Sequence, residues 1–144
     1  MTKKQIQMMV LVQDLVLAFV INSAATILGG GFQDTGLYLV GMFEAFSINY
    51  IAGLIIPVEK IGRAAAGGIG LKDGSLAHKV VRVFIINAIF VTIISFTIAL
   101  INCGLVSDIF SIWFRTYPVL HIVGFVTSLL IEKPVGDLVC TFVK

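Results

Sequence analysis

A chain of 144 residues is long enough for one ordinary domain, yet it is 58% hydrophobic and only 12% charged, with a mean hydropathy of +1.06. A soluble domain carries about 25% charged residues to keep its surface solvated, so these values exclude a free-standing soluble domain, a disordered chain and most soluble-enzyme classes, and leave an integral membrane protein. A net charge of +2, with no basic stripe interleaved by aromatics, gives no ground for a nucleic-acid partner.

A bilayer core about 30 Å thick needs roughly 20 apolar residues in a helix rising about 1.5 Å per residue. Four stretches meet that length: 6–28, 37–58, 80–102 and 109–131. They are predicted as helices because they far exceed the roughly ten residues of a barrel strand and lack apolar–polar alternation. Gly29-Gly30-Gly31 with Gln33-Asp34 closes the first span, and Asn102-Cys103-Gly104 with Ser107-Asp108 closes the third. Connections this short make two antiparallel hairpins. Between them, Gly62-Arg63-Ala64-Ala65-Ala66-Gly67-Gly68-Ile69-Gly70 lacks the Gly-Lys-Ser/Thr ending of a phosphate cradle, and it is expected to be a flexible or short helical connector. The expected fold is all-α: an integral membrane four-helix bundle with a first hairpin over 1–58, a cytoplasmic connector over 59–79 and a second hairpin over 80–144.

Basic residues set the expected orientation. Lys3 and Lys4 precede the first span, Lys60, Arg63, Lys72 and Lys79 lie between the second and third, with Arg82 at the connector end of the third, and Lys133 and Lys144 follow the fourth. The two hairpin turns hold Asp34 and Asp108 and no basic residue. The positive-inside rule then places both termini and the connector in the cytoplasm and the protein in the cell (plasma or inner) membrane. A cleavable signal peptide is the competing reading of the start, since Lys3-Lys4 precede an apolar run ending in Ser23-Ala24-Ala25. Asp14 interrupts that run, so the first span is kept.

Shifting the chain by 73 residues brings Gly31 onto Gly104, Ile21 onto Ile94 and Glu59-Lys60 onto Glu132-Lys133. It also sets Asp14 on Asn87, Asn22 on Ser95 and Ala45 on Pro118. Both halves enter from the same side, so this is a parallel repeat, expected to pack about a pseudo-two-fold axis along the membrane normal. The run Asn102-Cys103-Gly104, then Phe110, Trp113 and Pro118, resembles a family of small bacterial inner-membrane hairpin proteins of unknown function, with an Asn-x-Gly turn followed by Trp and Pro in the second span. The resemblance covers about residues 85–138; in the first half Gly31 and Pro57 match but Val40 replaces the Trp. It implies a two-span hairpin, duplicated here by the 73-residue shift, and is silent on activity.

A charge at mid-bilayer is costly, which makes each intramembrane ionisable group a functional candidate. There are four: Asp14, Glu44, Arg115 and His121. Asp14, Ala18, Asn22, Thr26 and Gly29 share one helical stripe, and Asn87, Val91, Ser95, Ala99 and Asn102 form its counterpart on the third span. Gly41, Ala45, Asn49 and Gly53 make a small-residue face on the second span; Trp113, Tyr117, His121, Gly124 and Ser128 do so less purely on the fourth. Small residues let helices approach closely in lipid, so Asn22, Asn49, Asn87 and Ser95 read equally as packing seams. Glu44 and Arg115 sit at one expected depth and read either as a structural ion pair or as a pathway entrance. His121 reads as a neutral core histidine or a proton relay, and Asp14 as a snorkelling carboxylate or a site residue.

No HExxH, GxSxG, CxxC or P-loop occurs, so no catalytic residue, metal or cofactor is expected and the chain is not expected to be an enzyme. Cys103 and Cys140 have no ligand spacing and read as apolar filler, with a reactive thiol at Cys103 as the alternative. The function expected is a transporter or channel for an ion or small solute, lined by Asp14, Asn22, Glu44, Asn49, Asn87, Arg115, Tyr117 and His121; a non-transporting structural or accessory subunit competes with it. Four spans make a thin bundle, so a homodimer or higher homo-oligomer in the lipid bilayer is expected, with Phe32, Tyr38, Trp113 and Phe114 as an interfacial aromatic belt.

Overall fold

The computed structural model describes residues 2–143 other than Gln33. Gln33 of the first turn and the basic Lys144 lie outside the described residues, as do the side chains of Lys3 and Ile6. The architecture is all-α, with five helices: α1 (Lys3–Leu28), α2 (Thr35–Ile55), α3 (Val58–Gly68), α4 (Leu76–Cys103) and α5 (Ile109–Phe142). Four of them, α1, α2, α4 and α5, are long and apolar enough to cross a membrane, which makes the chain a multi-pass membrane protein.

Local chemistry sets the helix ends. Thr2 and Gln5 form a capping box at the start of α1, satisfying two backbone donors that a helix N-terminus leaves free. The turn to α2 uses Gly30 and Gly31 at φ 113° and 93°, a region side chains other than glycine rarely occupy. Asp34 then caps α2 by accepting from the Leu37 amide at 3.0 Å. α2 stops at Ile55 because Pro57 disfavours helical geometry in the residue before it; Ile56 is extended, with ψ 124°.

The connector contains a true helix. Ala64-Ala65-Ala66 is a strong helix-forming run, and Gly62 lets α3 lie close on α4: a Cβ at 62 would meet Ile86 Cγ1 at 2.9 Å and the Arg82 carbonyl at 3.0 Å. α5 also runs well past the Glu132-Lys133 pair that marks the sequence-based end of the fourth span, carrying Pro118 and Pro134 within it.

The helices form a ring. α1 packs against α2 and α5, and α4 packs against the same two, so α2 and α5 stand at diagonal corners. Gln5 Nε2 donates to the Val143 carbonyl at 2.8 Å, which brings the two chain termini together at one end, opposite the two hairpin turns. Ala18, Ala45, Ala52, Phe90 and Ile94 form one buried cluster among α1, α2 and α4. Ile21, Val91 and Leu120 form another among α1, α4 and α5. Many large apolar side chains face outward, Leu37, Leu54, Ile55 and Phe110 among them, as the lipid-facing surface of a membrane bundle requires.

Candidate functional site

The interior is not purely apolar. Each spanning helix contributes one buried polar side chain to a common layer: Asp14 from α1, Asn49 from α2, Asn87 from α4 and His121 from α5. At about 1.5 Å per residue, these four lie about 18–24 Å along their helices from the turn end. The periodicity that places Asp14, Ala18 and Asn22 on one stripe turns all three inward, and it does the same for Asn87, Val91 and Ser95.

Within the layer the side chains bond in pairs across each hairpin. Asn49 Nδ2 donates to Asp14 Oδ1 at 2.7 Å. Asn87 Nδ2 lies 3.0 Å from His121 Nδ1 and donates to the His121 backbone carbonyl at 2.9 Å. A carbonyl can only accept, so the nitrogen of the Asn87 amide must face it. His121 Nδ1 then accepts from the same NH2 group, and the ring proton resides on Nε2. Phe84 meets the imidazole edge-on at 4.7 Å between centroids, and Tyr117 stacks on it at 5.8 Å. Three buried polar atoms in the layer have no hydrogen-bond partner: Asp14 Oδ2, Asn49 Oδ1 and His121 Nε2.

A second set of polar contacts lies nearer the turns. Asn22 Nδ2 donates to the Tyr38 carbonyl at 2.9 Å, and Trp113 Nε1 donates to Ser95 Oγ at 2.8 Å. Thr92 Oγ1 donates to Tyr117 Oη at 3.1 Å. Glycines make room for the amides: a Cβ at Gly41 would stand 2.8 Å from Asn22 Oδ1, and one at Gly124 would stand 2.5 Å from Asn87 Oδ1.

Glu44 and Arg115 behave differently. They sit on the diagonal helices α2 and α5, Glu44 half-buried and Arg115 exposed, and neither takes part in any of the ion pairs among the described residues. The structural ion pair that the sequence allows is therefore not made within one chain. Arg115 instead lines an open cleft at the turn end with Phe110, Ser111, Trp113 and Phe114. Of the eight residues singled out from sequence, the fold thus brings Asp14, Asn49, Asn87 and His121 to one level, stacks Tyr117 against that level, holds Asn22 nearer the turn, and leaves Glu44 and Arg115 apart.

Sequence reasoning passed over Arg82, treating it as a marker of orientation. Its guanidinium joins Glu59 of α3 at 2.6 Å and Glu132 of α5 at 2.5 Å. Lys79 adds a contact to Glu132 at 3.3 Å, and Arg63 one to Glu59 at 3.1 Å. The available signal was the 73-residue shift, which superposes those two glutamates. Among the described residues no group of three or more His, Cys, Asp or Glu side chains could hold a metal ion.

No curated protein and no solved structure matches this chain. Residues 76–143, which span α4 and α5, match the family model of a domain of unknown function (DUF2798), and the second hairpin is what this similarity describes.

Proposed function

We propose that the protein is a small membrane transporter or channel for an ion or small solute, with Asp14, Asn49, Asn87 and His121 as its central site. The observation that carries this reading is the trio of buried, unpartnered polar atoms in that layer, two of them on titratable side chains. Orphaned polar atoms in a dry interior are destabilising, and groups of this kind inside a membrane mark ion paths and proton relays. The test is flux into proteoliposomes, followed with pH- and cation-sensitive dyes. Asp14→Asn and His121→Gln are expected to abolish a flux that the parent protein supports. A parent protein that passes neither protons nor monovalent cations would overturn the ion-transport reading.

A non-transporting structural or accessory subunit is the second reading. It is favoured by the pairing itself, because Asp14–Asn49 and Asn87–His121 each pin the two helices of one hairpin. In neither reading is the chain an enzyme.

Three further features belong to the proposal. The hairpins are a duplicated pair, supported by Glu59 and Glu132, superposed by the 73-residue shift, both reaching Arg82. The end bearing the termini and α3 faces the cytoplasm of a cell membrane, supported by its lysines and arginines. The working unit is a homo-oligomer, most simply a dimer, in which Glu44 and Arg115 of neighbouring copies are available to each other.

A further inference from the structure

We propose that Asp14 and Asn49 form a proton-binding site, in which one proton sits on Asp14 Oδ2 and bonds Asn49 Oδ1, making a carboxylic acid–carboxamide pair. The inference deepens the transport reading, on which it rests for the consequence of binding but not for binding itself.

The argument is a donor–acceptor balance. A carboxamide offers an NH2 donor and an oxygen acceptor, whereas an ionised carboxylate offers two acceptors and no donor. The bond from Asn49 Nδ2 to Asp14 Oδ1 uses the donor. What is left on the two groups, Asp14 Oδ2 and Asn49 Oδ1, is a pair of acceptors with no partner. Flipping the Asn49 amide does not help, because it sets oxygen against oxygen at the position now bonded. A proton on Oδ2 turns one of the two into a donor and completes a second bond between the same residues.

Burial points the same way. Asp14 is 4% exposed and Asn49 is 0% exposed. The residues one helical turn away on the same faces are Ala18, Ala45 and Ala52, which are apolar and buried. The acidic, basic and imidazole groups on the helices packed against α1 are Glu44 on α2, His78, Lys79 and Arg82 on α4, and Arg115, His121, Glu132, Lys133 and Asp137 on α5. Among the described residues none of them pairs with Asp14, so an ionised Asp14 would be a lone charge in a medium that disfavours it. A metal cation would find two side-chain oxygens and an apolar surround, too few ligands for a hard ion. A proton needs no more than those two.

The step is a simple proton transfer. On release, the O–H bond of Oδ2 breaks, the proton passes to a water molecule, and the carboxylate remains with both electrons of that bond. A solute that brings water or a donor to Asp14 promotes release; closing the pair promotes uptake.

Infrared spectroscopy of the purified full chain in lipid nanodiscs at neutral pH tests this. The parent protein should show a protonated-carboxyl C=O band that shifts in heavy water and loses one residue's intensity in Asp14→Asn. Asn49→Leu, which keeps the carboxyl but removes its partner, should move the band to higher frequency. Trp113 emission and circular dichroism report that each variant is folded. An Asp14→Asn spectrum with an unchanged band overturns the proposal, as does an unmoved band in Asn49→Leu. Loss of the parent band on adding sodium or potassium chloride at constant pH also overturns it, because the site would then be a cation site. Absence of proton and cation flux with the band intact refutes ion transport and leaves the proton site standing; flux without the band refutes this inference alone.

Discussion

Gly124→Ala is a one-methyl perturbation whose effect can be worked from the contact between α4 and α5. The added Cβ would stand 2.5 Å from Asn87 Oδ1 and 3.2 Å from Val91 Cγ2. Val91 is fully buried and cannot step aside, so the Asn87 amide must move or the helices must separate. Moving the amide removes its two contacts to His121, at about 1 kcal/mol each. Crowding a packed interior adds about 1–3 kcal/mol, and alanine's helix preference over glycine offsets about 1 kcal/mol. The net expected loss is about 2–4 kcal/mol. Trp113 is the single tryptophan, and its indole donates to Ser95 across the same two helices. Its emission during denaturant titration in mixed micelles therefore reports α4–α5 separation directly. Gly67→Ala is the control: a Cβ there meets nothing within 4 Å, and that variant should match or slightly exceed the parent. Gly124→Ala combined with Asn87→Ala should cost less than the two single changes added together. If Gly124→Ala proves as stable as Gly67→Ala, the close approach of α5 to Asn87 does not govern this interface.

Arg82→Gln should free α3, speeding amide exchange over residues 58–68 and lowering stability by about 1–3 kcal/mol, because two charge-assisted contacts are lost at once; unchanged exchange would rule out the arginine as the tie. Glu44→Gln and Arg115→Gln should be additive to within about 0.5 kcal/mol in dilute micelles, where chains are separate; a larger coupling there would mean the two side chains meet within one chain. In a Cys103→Ser, Cys140→Ser background, single cysteines at positions 34 and 72 should label from opposite sides of the membrane, and labelling of both from one side would overturn the arrangement of turns and connector.

The spans were legible because membrane burial makes length and hydropathy decisive, and the Asp14–Ala18–Asn22 stripe was legible because helical period alone determines which residues share a face. Other features depend on how helices meet. Glu44 and Arg115 fall at similar depth, yet whether they touch depends on the ring order, and that order puts α2 and α5 on a diagonal. The connector helix was ambiguous because glycines and an alanine run compete over residues 62–70; docking of Gly62 against Arg82 and Ile86 decides for helix. α5 outlasts the apolar span because Glu132-Lys133 marks where charge begins, whereas a helix continues wherever its apolar face stays covered, as Val135 and Val139 are. Arg82 looked like one of several basic residues, and its role emerges once α3 and α5 bring two carboxylates to it from 23 residues before and 50 residues after.

The contact of Gln5 with Val143 has a consequence for biosynthesis. A chain made from its N-terminus inserts α1 long before α5 exists, so α1 must wait in lipid for the last helix to arrive. During that wait Asp14 needs no late-made partner, because Asn49 lies on the next helix made and not on the last one. Asn87 and His121 are likewise neighbours in order of synthesis. Each hairpin can therefore enter the bilayer with its costliest side chains already engaged. Closure of α1 against α5 is then left to the final step, where Ile21 and Leu120, apolar residues that lipid tolerates well while they are apart, come together.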